Sequence, residues 1–139
     1  MRKTKVDLVR GWLEKARHDL KVAQRELNTS NPFTDIICFH AQQAAEKYLK
    51  AYLVWNEIEF PKTHALEQLV LLAAQKEPEL LKLKDEVAFL TPYAVETRYP
   101  EFEEPLLEDA KEAVRIAKKV RDTVLRNIPK EVHPEQESS

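Results

Sequence analysis

Four residues that could grip an anion, His40, Gln43, Lys47 and Lys50, recur at steps of three, four and three. On a helix turning 100° per residue they project to one side, where two amines, an imidazole and an amide could hold a phosphate or a partner's acidic face. The competing reading has Gln43 and Lys47 bridging neighbouring helices and His40 satisfied at an interface. Arg98 and Tyr99 form a second candidate, because a guanidinium beside an aromatic ring, in a segment bounded by Pro92 and Pro100, suits bidentate contact with carboxylate or phosphate. Arg98 could equally serve structure by pairing with Glu46 or with a carboxylate at the start of the last helix. Arg126 and His133, with six residues between them, are a third candidate: an imidazole can move a proton at an RNA 2′-hydroxyl while a guanidinium steadies the phosphate.

The rest of the sequence narrows the chemistry. Gly11 is the only glycine, so neither a phosphate-binding glycine loop nor a dinucleotide fingerprint can be written. Serine occurs only at Ser30, Ser138 and Ser139, which removes the strand-turn-helix nucleophile of serine hydrolases. None of His18, His40, His64 and His133 has a Glu three residues before it, as a helical di-iron site requires, and HExxH is absent. Cys38 is alone, so no intrachain disulfide or multi-cysteine zinc site forms and a reducing compartment is expected. No metal or other cofactor is expected. The net charge of −2 argues against a general polyanion-binding surface. The start MRKTKVDLVR carries no long apolar run, so a cytoplasmic protein without a membrane span is expected.

Apolar residues recur by threes and fours, and the interruptions fall at proline and polar turn residues, which predicts an all-α fold. Val9, Leu13, Ala16, Leu20, Ala23 and Leu27 form one seam, closed by Asn28 to Pro32. A second helix runs from about Thr34 to Asn56 and is apolar nearly all round, with Ile37, Ala41, Ala44, Ala45, Tyr48, Ala51, Tyr52 and Trp55 on one broad arc. That coverage exceeds what one face of a small bundle buries and predicts a homodimer built partly on this helix. Glu46 needs a cation there, either Lys50 one turn on or one from another segment. Thr63 is read as the N-cap of a short third helix through Leu66, Leu69, Val70 and Ala73. Pro78 opens a fourth with Leu80, Leu83, Val87 and Leu90 inward, and a last helix shows Leu106, Ala110, Ala113, Ala117, Val120 and Val124 before Pro129. Four long helices and a short third make an antiparallel up-and-down bundle over residues 1–129. Residues 130–139 have no apolar pattern and are expected to be a disordered tail. Trp12 and Trp55 are expected in core or dimer contacts.

Three landmarks in order, FHAQQAAEKYLKAYL at 39–53, PKTHALEQL at 61–69 and ETRYP at 96–100, together with WLEKARHDLKVA at 12–23 and the Ala-rich final helix, resemble the HEPN domain family over about residues 8–127. The resemblance implies a helical bundle that pairs as a homodimer and works with a minimal nucleotidyltransferase, in some cases as toxin and antitoxin, with nucleotide as a candidate ligand. It also implies a test for ribonuclease activity, because nucleases of this family carry an Arg, a polar residue and then a His, with four to six residues between the Arg and the His. Arg98 has no such His; Arg126-Asn127 with His133 is a formal match outside the helical position. Two readings therefore stand: a non-catalytic interaction or nucleotide-associated module, and a metal-independent ribonuclease using Arg126 and His133 on RNA.

Overall fold

The structure is a computed structural model and describes residues 2–134. Five α-helices account for most of it: α1 (Lys5–Leu27), α2 (Thr34–Trp55), α3 (Leu66–Ala74), α4 (Lys84–Leu90) and α5 (Leu107–Arg126). No strand occurs among the described residues, so the all-α expectation holds. Thr4 starts α1 with a capping box: its hydroxyl accepts from the Asp7 N–H at 3.1 Å while the Asp7 carboxylate accepts from the Thr4 N–H at 3.1 Å. At the far end of α2, Glu57 takes the left-handed conformation at φ 56° and the Ile58 N–H reaches back to the Leu53 carbonyl at 2.9 Å, which closes the helix and reverses the chain.

Side-chain contacts fix the directions. Lys5 Nζ meets the Trp55 carbonyl at 3.0 Å and the Phe33 N–H donates to Glu26 at 2.8 Å, so α1 and α2 are antiparallel. Glu86 contacts Arg115 and Lys119 while Glu79 contacts Arg126, so the segment through α4 runs against α5. Cys38 and Asp109, each near the start of its helix, lie close enough for the carboxylate's charge to bear on the thiol. Hence α2 and α5 are parallel, as alternate members of an up-and-down bundle must be. They pack together directly; Ala41, Ala44, Ala45 and Ala51 of α2 and Ala110, Ala113 and Ala117 of α5 are buried, and such small side chains permit close approach.

The structure changes five expectations. First, α2 touches all four other helices and its apolar arc, half-buried Trp55 apart, is buried within one chain, so its composition is explained by its central place in the bundle without a second copy. Second, the fourth helix begins at Pro78, but its first turns, Pro78–Leu83, are 3-10 and only seven residues are α-helical; Leu80, Leu83, Val87 and Leu90 are all buried as expected. Third, Thr63 does not cap α3, which starts two residues further on than that role allows. Its hydroxyl accepts from the Ala65 N–H, and the Leu66 N–H is instead received at 3.1 Å by Thr91, at the end of the neighbouring α4. Leu106, placed on the seam of the last helix by periodicity, precedes the helix and is 64% exposed.

The last correction concerns the tail. Residues 130–134 are ordered: Lys130–Val132 form a 3-10 turn and Val132 is buried in the core. Arg10 of α1 donates from Nε to the Val132 carbonyl at 3.3 Å and from its terminal nitrogen to the Glu131 carbonyl. One apolar side chain and two gripped carbonyls suffice to dock a segment too short to show periodicity. The rest of the expected disordered tail, 135–139, lies outside the described residues.

Candidate functional site

The solvent side of α2 is a half-buried stripe through Phe39, His40, Gln43, Lys47 and Lys50. Its chemistry is decided by two carboxylates. Asp19, on the inward seam of α1, receives His40 Nδ1 at 2.8 Å and Lys47 Nζ at 2.5 Å. Burial raises the Asp19 carboxyl, but the bonds from His40 and Lys47 outweigh it and hold the group below the ordinary carboxylate range. Asp19 went unremarked in the sequence because it falls at a seam position, between Ala16 and Ala23, where periodicity alone expects an apolar residue; the one signal was a charge at that position.

Glu46 is the second centre. Lys50 Nζ lies 2.9 Å from Oε2, His64 Nδ1 lies 2.9 Å from Oε1, and Gln42 Nε2 donates to Oε1 at 3.3 Å and to the His64 carbonyl at 3.2 Å. Gln43 continues the chain by donating to Gln42 Oε1 at 2.7 Å. Burial again pushes the Glu46 carboxyl up, and the bonds from His64 and Lys50 with the Lys50 charge bring it below its ordinary value. The cation is Lys50, one turn on, and His64 from another segment adds a hydrogen-bond partner. Lys50 also sits 5.5 Å from the Trp12 ring centroid and 5.7 Å from that of Phe60, so its aliphatic stem and charge are packed between aromatic faces. Trp12 and Trp55 both pack against the core.

Arg98 does not pair with Glu46. Its guanidinium stacks 5.2 Å from the centroid of Phe39, whose ring meets His40 edge-on at 5.3 Å. The turn carrying Arg98 and Tyr99 is therefore brought to the His40 end of the stripe, and Lys50, about 15 Å along the helix from His40, belongs to its other end. Tyr99 is half exposed beside it.

Arg126 and His133 line one surface cavity of about 590 Å³ together with Asp122, Lys130 and Pro129. Each is also engaged by the protein: Arg126 meets Glu79 at 2.5 Å, and His133 Nε2 lies 2.8 Å from the Ile128 carbonyl. That bond requires Nε2 to donate, which leaves only Nδ1 for proton exchange. Cys38 is buried, and desolvation with the nearby Asp109 charge pushes its thiol up to about 12, so it is no nucleophile at neutral pH. No group of three His, Cys, Asp or Glu side chains is gathered for a metal among the described residues. No helix among them is long and apolar enough to cross a membrane.

The bundle and its landmarks match the HEPN domain model over residues 9–128, and the chain belongs to the HEPN family. A relative from Methanocaldococcus jannaschii, named "Putative toxin MJ1304", is 31% identical over 129 residues, spanning 81% of this chain and 83% of its own. The crystal structure of TT1696 from Thermus thermophilus superposes with a TM-score of 0.71 at 29% identity, covering 86% of this chain and 98% of that one. The structure of ST0689, described as an archaeal HEPN homologue, shares the fold with a TM-score of 0.70 at 24% identity, covering 93% and 100%.

Proposed function

We propose that the chain is a non-catalytic HEPN-type interaction or nucleotide-associated module. It acts as a cytoplasmic homodimer beside a minimal nucleotidyltransferase, in a toxin–antitoxin-like pair. His40, Gln43, Lys47 and Lys50, with Arg98 and Tyr99, form its ligand- or partner-binding face. The observation that carries the non-catalytic half is the pairing of three candidate phosphate-holding cations within the chain, Lys47 by Asp19, Lys50 by Glu46 and Arg126 by Glu79, while His40 and His133 each commit one ring nitrogen, to Asp19 and to a main-chain carbonyl. A ligand at the stripe must compete with two resident carboxylates, and a phosphate at Arg126 must compete with Glu79. Family membership and the name borne by the M. jannaschii relative support the toxin–antitoxin part.

The ribonuclease reading is favoured by one observation, the shared cavity of Arg126, Lys130 and His133. The two readings separate on purified protein incubated with a mixed RNA substrate. The expected outcome is no cleavage above that of a mock preparation. Cleavage abolished by His133→Ala would move the chain into the ribonuclease class. Copurification of the untagged native protein, with its companion identified as a nucleotidyltransferase, tests the partner half.

A further inference from the structure

We propose that the end of the bundle formed by the start of α2, the turns after α4 and the start of α5 is a docking surface for a basic amphipathic segment of a different protein. Seven of the twelve large apolar side chains exposed among the described residues fall within residues 33–36 and 95–107, so the uncovered apolar surface is gathered at one end. Phe33, Ile36, Val95, Tyr99, Phe102 and Leu106 carry most of it, at exposures from 40 to 64%. Ile36 stands one turn before Phe39, on which Arg98 rests; Val95 and Tyr99 flank that arginine's turn; the Phe102 N–H donates to the Tyr99 carbonyl at 3.4 Å. Asp35 and Asp109 both bear electrostatically on Cys38, which ties the first turns of α2 and α5 to the same place.

Charge selects the occupant. Residues 95–108 hold five carboxylates, Glu96, Glu101, Glu103, Glu104 and Glu108, against one cation, Arg98, a net of −4. None of the five forms an ion pair with a described residue, whereas Glu79, Glu86 and Glu112, further from this end of the bundle, are each paired. An apolar centre with an unneutralised acidic rim complements apolar side chains ringed by Lys and Arg. A second copy on a two-fold axis would set acid against acid, and RNA would be repelled. The inference deepens the partner half of the proposed function and rests on it.

The test uses the full chain and a helical peptide of about 18 residues with leucines on one face and Lys and Arg on the other, against the same peptide carrying Glu in place of the cations. Amide shifts on adding the basic peptide are expected at residues 33–36 and 95–107, with none from the acidic peptide. Phe102→Ser and the double substitution Glu103→Lys with Glu104→Lys, both at exposed positions, should each weaken binding by roughly tenfold with the circular dichroism spectrum unchanged. No binding, shifts centred elsewhere, or equal binding of both peptides would overturn the proposal. If the peptide fails while a nucleotidyltransferase copurifies, the surface is wrong and the partner reading stands. If the peptide binds there and no nucleotidyltransferase copurifies, that partner identity falls and the surface remains.

Discussion

At the residue scale, two buried carboxylates organise most of the polar chemistry. Replacing Glu46 by Ala leaves Lys50, only 13% exposed, without its anion and the His64 ring without its carboxylate partner, while Gln42 keeps only the His64 carbonyl. Removing one partner of such a pair costs about 3 to 5 kcal/mol, which urea unfolding would register as a large drop in midpoint. The pH dependence follows from the same groups. Asp19 and Glu46 titrate below their ordinary values of 3.8 and 4.5 in the folded state, so their contribution is complete above those values and is lost as pH falls through the lowered ones. Urea midpoints measured from pH 7 to pH 3 should fall below about pH 4.5, and less steeply in a variant carrying Asp19→Asn and Glu46→Gln. An equal slope in that variant would place the acid sensitivity elsewhere. Sequence reading located Glu46 and its need for a cation, because a charge on a wholly apolar helix stands out. It passed over Asp19, whose partners lie 21 and 28 residues away on another helix, a separation that local spacing cannot reveal. His64 likewise meets Glu46 across 18 residues, a separation that local spacing does not show.

At the scale of elements, the long helices were legible because several turns of repeated spacing outweigh any local irregularity: α2 was placed at 34–56 and runs Thr34–Trp55. Short segments were not legible, since a 3-10 turn or a three-residue dock offers no period to read. The C-terminal turn shows the consequence. Deleting residues 130–139 removes Val132 from the core and the two carbonyls held by Arg10, so the truncated chain should lose about 1 to 3 kcal/mol where a disordered tail would cost nothing. Val132→Ala in the full chain, followed by thermal and urea unfolding, separates the packing part from the Arg10 contacts. A truncated chain with unchanged stability would mean that the dock contributes nothing in solution. Lys50 carries a related warning for mutational design: a charge reversal there would set a second carboxylate beside Glu46, so lost binding in that variant could not be told apart from lost folding.

At the scale of the whole molecule, the question is whether two copies meet, and on which face. The apolar bulk of α2 no longer requires a second copy, since α1, α3, α4 and α5 cover it. What remains on its outer side is the half-buried stripe of Phe39, His40, Gln43, Lys47 and Lys50, rigidly tied to Asp19 and Glu46. A homodimer built there would be two-fold, so a residue near the axis faces its own copy and a new charge repels itself. Gln43→Lys is the informative change. Within one chain the new ammonium can still donate to the Gln42 oxygen that Gln43 bonds, and Lys47 one turn on is neutralised by Asp19, so the fold should hold. Across a two-fold axis it sets two positive charges together. Wild-type protein at micromolar concentration should sediment at twice its 16.2 kDa chain mass, and Gln43→Lys should shift the equilibrium to monomer by roughly tenfold or more while its melting temperature stays within a few degrees. Wild-type protein that sediments only as monomer would remove the homodimer altogether. A dimer indifferent to Gln43→Lys would place its interface on another face and leave the α2 stripe free for a different ligand.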